Sequence, residues 1–174
     1  MRYITSVIFC LMRIFPVLLT LLLPASAPAQ YKYTTARGTV SITGYDCSEN
    51  VLTITNELHG LPVVCIERSA FLGCTNLCRV TIPDSILKVR GCSFMNCGMT
   101  NVIVGSGVAN FGRGAFYNCT RLTGIYFFGN APERVGDEVF FGATNATVYY
   151  LPGRTGWGKT FGGRPTAIWT GKSP

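Results

Sequence analysis

Acidic residues are scarce in this chain. Eight aspartates and glutamates stand against fifteen lysines and arginines, charged residues make up only 13% of the sequence, and there is a single histidine. That histidine, His59, lies in a Gly-Leu-Pro turn with no defined partner to orient it, so a histidine-based dyad is excluded. The few carboxylates are scattered, and no pair recurs at a register that would bring two together. Long apolar runs are missing too. The stretch from Ile14 to Leu23 is ten residues, interrupted by Pro16 and Thr20, whereas a spanning helix needs about 20.

The short apolar run has a different meaning. Arg2 and Arg13 precede it, and a small-residue stretch ending Ala27-Pro28-Ala29 follows. A basic start, a short apolar segment and an A-x-A ending predict a secretory signal peptide over residues 1–29, cleaved before Gln30; retention as an anchor is the alternative. Cys10 does not stand where a lipoprotein cysteine would. No second apolar span follows, so a secreted or cell-surface product without a membrane span is expected. The remaining residues fit one domain. Without Arg2 and Arg13 they carry 13 basic and eight acidic groups, a net +5. These charges are scattered along the sequence. They permit attraction to acidic glycans or envelope polymers and give little reason to expect nucleic acid.

What the chain does have is a repeat of 22 to 24 residues. Phenylalanine followed three positions later by cysteine occurs as Phe71/Cys74, Phe94/Cys97 and Phe116/Cys119, and Phe140 follows without its cysteine. Five residues before each phenylalanine stands an apolar anchor: Ile66, Val89, Phe111 and Val135. Downstream, Leu77, Val80 and Ile82 recur as Met99, Val102 and Val104, then as Leu122, Ile125 and Phe127. A period of this kind marks stacked coils, each burying its apolar edge against its neighbours.

The repeat also sorts the cysteines. Cys74, Cys97 and Cys119 hold one slot and are expected to face the interior as small apolar fillers. Cys47, Cys65, Cys78 and Cys92 have no repeat equivalents, and in an exported chain they could form up to two bridges. The spacings Cys74-x3-Cys78 and Cys92-x4-Cys97 invite comparison with zinc sites. Two of those four cysteines belong to the ladder, however, and no metal or other cofactor is expected.

Along the chain, Tyr31 to Ile42 alternates apolar and polar residues around Gly38 and reads as a β-hairpin that covers the open end of the stack. Leu52 and Ile54 look like the inward residues of a first strand. Val80-x-Ile82 is a short strand ended by Pro83, and Ser69 to Cys74 is a turn or a single helical turn across the back. Strands of successive units should pair in parallel, about 4.8 Å apart. The pleat then sends Leu52, Ile54, Val80, Ile82, Val102, Val104, Ile125 and Phe127 inward. Thr53, Thr81, Ile103 and Tyr126 form one outward row, and Arg79, Asn101 and Gly124 a second. Beyond Phe127, one partial unit and a strand from Ala146 to Tyr150 lead to a Gly/Pro-rich ending with both tryptophans.

The unit Ile66-x4-Phe71-x2-Cys74-x2-Leu77-x2-Val80-x-Ile82-Pro83 resembles the BspA-type leucine-rich repeats. The entry segment Gly60-Leu61-Pro62-Val63 and the ending from Ala146 to Trp169 are also similar to those of bacterial exported members. The pattern departs from the family at Glu67 and Arg90, where a glycine usually follows the anchor, and at Ser93 in place of alanine. The resemblance implies a β-rich α/β solenoid: a right-handed leucine-rich-repeat stack with one parallel sheet. The expected layout is an N-terminal hairpin cap over 30–50, repeats over 51–145 (about three and a half units) and a C-terminal cap over 146–174. Members of the family are associated with adhesion and with binding host or matrix proteins.

One segment matches a catalytic pattern. Gly153 to Thr160 fits G-x-x-x-x-G-K-T, the phosphate-cradling loop with Lys159 on the phosphates. That chemistry needs a helix behind the loop, and Phe161-Gly-Gly-Arg-Pro165 opposes one. Gly105-Ser-Gly107 lacks a third glycine and a following helix, and is expected to connect two coils. Asn118-Cys-Thr120 and Asn145-Ala-Thr147 are glycosylation sequons. The sequence therefore points to a non-enzymatic binding module for a protein or glycan, with Arg79, Thr81, Asn101, Ile103 and Tyr126 on its ligand face. The alternative is a self-associating envelope component.

Overall fold

In the computed structural model, residues 31–171 are described, and the expected signal segment 1–29 lies outside them. A hairpin comes first. β1 (Tyr31–Ala36) and β2 (Thr39–Tyr45) run antiparallel, joined by Arg37 and Gly38, both with left-handed φ (51° and 74°). Such a two-residue turn twists in the sense that paired strands require. The chain continues through β3 (Val51–Thr53), β4 (Glu57–Leu58), β5 (Leu61–Ile66), β6 (Arg79–Ile82), β7 (Lys88–Val89), β8 (Asn101–Val104) and β9 (Asn110–Phe111). It ends with β10 (Gly124–Phe127), β11 (Arg134–Val135), β12 (Thr147–Tyr150), β13 (Thr160–Phe161) and β14 (Arg164–Ile168).

These strands form a solenoid of about five turns with two sheets rather than the one expected. Sheet A has the order β1-β2-β5-β7-β9-β11, with β4 paired to β5; sheet B has the order β13-β14-β12-β10-β8-β6-β3. Each turn contributes one strand to each sheet, and between turns the pairing is parallel. Sheet B follows the expected register: Val80 pairs with Val102, and Val102 with Ile125. Sheet A was hidden because β7, β9 and β11 are two residues long, too short to show an alternation.

The α/β label is corrected as well, since no helix occurs among the described residues. The backs of the coils explain why. Phe71 N–H donates to the Ser93 carbonyl, Phe94 N–H to Ala115 and Phe116 N–H to Val139, each at 2.8 Å. Donors that a helix would turn back on its own chain are given to the next coil. Two residues in each back segment take left-handed φ. Two positions after the phenylalanine these are Gly73, Asn96, Asn118 and Gly142, the residue types that tolerate this conformation. Two positions before it they are Ser69, Cys92, Gly114 and Glu138. Asn118 also donates from its amide to Asn96 Oδ1 at 2.9 Å, so that sequon is part of the inter-coil bonding.

The core is a column of rings. Phe71, Phe94, Phe116 and Phe140 are fully buried and stack at centroid distances of 4.7, 5.2 and 5.5 Å with planes within 15° of parallel. Tyr45 rests on Phe71 at one end, and Phe161 meets Phe140 at the other. The anchors Ile66, Val89 and Phe111 are buried, but Val135 is 38% exposed.

The ladder cysteines divide. Cys97 donates its thiol proton to the Phe71 carbonyl and Cys119 to the Phe94 carbonyl, each at 3.0 Å. Burial pushes these thiols up to about 12 and about 11. Cys74, with no phenylalanine coil before it, is instead bonded to Cys47. The expectation that Cys74 is a free filler, and that bridges form among Cys47, Cys65, Cys78 and Cys92, is therefore corrected: the latter three are free thiols. Cys92 serves a left-handed backbone position, and Cys65 is buried with its thiol 3.4 Å from Glu67 Oε1. The bond at Cys74 also takes apart the Cys74/Cys78 spacing that resembled a zinc pair.

Two adjacent residues should respond in opposite directions. Phe94→Ala removes a ring stacked on both sides and should cost about 3–5 kcal/mol in chemical denaturation. Ser93 is fully buried where two other coils carry Ala70 and Ala115, and its hydroxyl has no hydrogen-bond partner among the described residues. Ser93→Ala should therefore stabilise by about 1 kcal/mol, while the exposed Lys159→Ala stays within about 0.5 kcal/mol of the parent.

Candidate functional site

Sheet B presents its outer face through β3, β6, β8, β10, β12 and β14. The pairing register aligns Thr53, Thr81, Ile103, Tyr126, Tyr149 and Ala167 in one row across the strands. Their inward neighbours Leu52, Val80, Val102, Ile125 and Val148 are buried, which fixes this row as outward by the pleat. Val51, Arg79, Asn101, Gly124 and Thr147 make the second row. Arg79 is exposed and Asn101 half-buried, but Gly124 is buried rather than open as expected.

Gly124 is covered by a neighbour's ring. A Cβ placed there would lie 2.6 Å from the Tyr126 ring, so the missing side chain is what lets Tyr126 fold across β10. From there Tyr126 stacks on Tyr149 at 4.9 Å with planes 11° apart, and meets Trp169 edge-on at 5.5 Å. Trp169 also meets Phe128 edge-on at 5.6 Å. Four aromatic rings thus form one surface at the C-terminal end of the face. Burial, and next the proximity of Tyr149, raise the Tyr126 hydroxyl above the ordinary tyrosine range, while the positive charge of Arg79 acts the other way.

Beside these rings lies an open groove of about 520 Å³. Thr53, Thr81 and Ile103 line it together with Phe128 and Arg154. Its edge is stiffened where Asp84 Oδ1 accepts from the Ser106 N–H at 2.6 Å and the Ser106 hydroxyl at 3.0 Å. Gly105 and Gly107 sit at this crossing, where a Cβ would run into the Pro83–Asp84 backbone. That is the coil connection expected of the Gly105-Ser-Gly107 segment. Of the residues expected on the ligand face, Thr81 and Ile103 line the groove and Tyr126 joins the rings. Arg79 and Asn101 lie in the second row, outside the groove. The contributions of Tyr149, Trp169, Phe128 and Arg154 were not anticipated. Tyr149 could have been found by carrying the register one strand further, whereas Arg154 and Trp169 come from irregular ending segments with no period to follow.

The face offers rings, hydroxyls, a guanidinium and a carboxylate already engaged by Ser106. This is equipment for noncovalent recognition. His59 lies in the β4–β5 turn, its ring 5.8 Å from Tyr33. The phosphate-loop look-alike runs straight into β13, which turns at Gly162 and Gly163 into β14. No helix N-terminus stands behind Lys159. The loop instead brings Trp157 onto Tyr150 at 5.1 Å and Phe127 at 4.9 Å.

Comparison with known proteins gives a consistent picture. A family model described as the BspA type leucine rich repeat region matches residues 41–155 in six copies. A leucine-rich repeat protein from Bacteroides capillosus is similar in structure, with a TM-score of 0.62 and 24% identity over 69% of this chain and 93% of that one. The leucine rich repeat protein of T. pallidum gives a TM-score of 0.52 and 22% identity over 70% of this chain and 68% of its own. Among curated proteins none matches.

The covering of Gly124 yields a test. Gly124→Ala should push the Tyr126 ring off Tyr149, weakening the near-ultraviolet circular dichroism of the aromatic surface and costing about 1 kcal/mol of stability. An unchanged spectrum would mean that Tyr126 does not lie across Gly124.

Proposed function

This chain belongs to the BspA-type leucine-rich-repeat family, and from that premise we propose that it is an exported, non-enzymatic binding module recognising a protein or polysaccharide through the outer face of sheet B. The observation that carries the reading is the aromatic surface of Tyr126, Tyr149, Phe128 and Trp169 beside a groove lined by threonine hydroxyls. Fixed aromatic side chains bring large contact area at low entropic cost and are enriched where binding energy concentrates. Export is supported by the basic, apolar and A-x-A elements of residues 1–29. The Cys47–Cys74 disulfide agrees with an oxidising compartment.

A second reading, self-association into an envelope structure, is favoured by one feature. Leu72 and Phe141 are about half exposed, and Phe141 stacks on Tyr117 at 4.9 Å to form an apolar ridge along the coil backs. Sedimentation of the purified chain distinguishes the two, because ligand-free assembly dispersed by Phe141→Ser belongs only to the second.

The ligand-face reading is tested by screening the purified chain on glycan and protein arrays alongside Tyr126→Ala and Arg79→Ala. Tyr126→Ala should weaken the selected ligand by about 2 kcal/mol, roughly thirtyfold, and Arg79→Ala by less. Unchanged binding in both variants would overturn the assignment of this face.

A further inference from the structure

Folding gathers charges that look scattered in the sequence. Arg68, Lys88, Arg90, Arg113 and Arg134 all line one open groove of about 570 Å³ on the outer face of sheet A, opposite the face described above. Apart from Lys88 and Arg90, which belong to one coil, successive members are separated by roughly one repeat length, so the stacking sets them side by side. The pairing register places Lys88, Asn110 and Arg134 in one row on β7, β9 and β11. Two strand steps separate Lys88 from Arg134, about 10 Å. Arg68 and Arg113 likewise stand two coils apart, with Gly91 between them. A Cβ on Gly91 would lie 3.8 Å from Arg68 Cζ, so that guanidinium lies along the groove.

Two carboxylates form ion pairs with these cations, and Asp137 also lies near Arg113. Glu67 pairs with Arg90 at 3.1 Å, and Glu138 takes both Arg113 Nε and Nη2 at 3.1 and 2.9 Å. Glu67 and Arg90 are the two positions that depart from the post-anchor glycine of the repeat, and they neutralise each other. Arg68, Lys88 and Arg134 have no ion-pair partner among the described residues. Three cations without an ion-pair partner therefore stand on one narrow face.

We infer that this groove is a second binding site, separate from sheet B, for a linear acidic polysaccharide lying across the coils. Within each row the step along the solenoid axis is two coils, Lys88 to Arg134 and Arg68 to Arg113, the step that a polymer with an acid group on alternate units would require. Gly91, Gly112 and Gly136 line the groove beside Asn110; the glycines let neighbouring coils pack backbone to backbone, and Asn110 leaves an amide for the hydroxyls of a ligand. Phe111 is the only aromatic residue lining the groove and is buried, so there is no platform on which nucleic-acid bases could stack. Val135 is the one exposed large apolar side chain in the groove, short of the apolar face by which a lipid surface is entered.

The test uses the purified, disulfide-intact chain and a size-defined, sulfated heparin oligosaccharide, with affinity measured by calorimetry over a range of salt. Arg68→Ser, Lys88→Ser and Arg134→Ser combined should weaken binding at least about tenfold at low salt and lower the log–log salt slope by about two to three. The same charge removed elsewhere, through Lys32→Ser, Arg37→Ser and Arg121→Ser at exposed positions, should weaken it far less, and Tyr126→Ala should leave it unchanged. The six cationic positions are all exposed, and an unchanged thermal midpoint verifies that each triple variant is folded. Equal losses from both triple variants would reduce the effect to net charge and overturn the site, as would absence of binding. Equal affinity for a single-stranded oligonucleotide or anionic phospholipid vesicles of matched charge would overturn the polysaccharide assignment.

Discussion

Every turn of this solenoid advances by one strand spacing, about 4.8 Å, and that single pitch governs the rest. A residue held at a fixed register meets its own counterpart at the distance of van der Waals contact between flat rings. Phenylalanine stacks on phenylalanine at 4.7 to 5.5 Å for this reason, within the range in which offset aromatic pairs are favourable. The same pitch lets N–H groups on the coil backs reach the next coil, and each ladder thiol reach the carbonyl of the preceding phenylalanine. Helix formation in those segments would give up these bonds.

A stack held by its neighbours has a difficulty at its ends, where one neighbour is missing. At Phe71 the neighbouring ring is Tyr45, delivered by the hairpin strand β2, and Cys74 finds Cys47 where its fellows find a carbonyl. At Phe140 the neighbouring ring is Phe161, set beside Trp157 by the loop that resembles a phosphate cradle. The glycines of that loop are thus explained by the route of the backbone. Gly153 and Gly156 have φ of 78° and 83°, values that a side chain would oppose.

How much of this was legible in the sequence depends on element length and on what repeats. The four-residue strands β6, β8 and β10 show alternation, and their burial follows it at every position but Gly124. The two-residue strands β7, β9 and β11 contain no alternation, so a whole sheet went unseen although its anchors Ile66, Val89 and Phe111 had been named. Cys74 departs from its ladder because equivalence in register does not extend to the first member, which lacks a predecessor. Gly124 was placed in the right row, but its cover by Tyr126 depends on a side-chain rotamer that no periodicity encodes. The cations of sheet A were visible one at a time; only counting them modulo the repeat brings Lys88 beside Asn110 and Arg134.

The two outer faces of the solenoid rest on different physics. On sheet B the proposed contact surface is aromatic, and the binding such a surface supplies changes little with ionic strength. On sheet A it is cationic and open, and beyond about 8 Å an exposed charge is largely screened at physiological salt. Both faces are carried by the same coils, whose inner sides meet where Phe111 of β9 lies edge-on to Phe127 of β10. A ligand on one face therefore leaves the other uncovered, and salt separates the two proposed activities without any mutation. The pitch that stacks the rings inside also sets the spacing of the groups outside, so the core and both faces share one ruler.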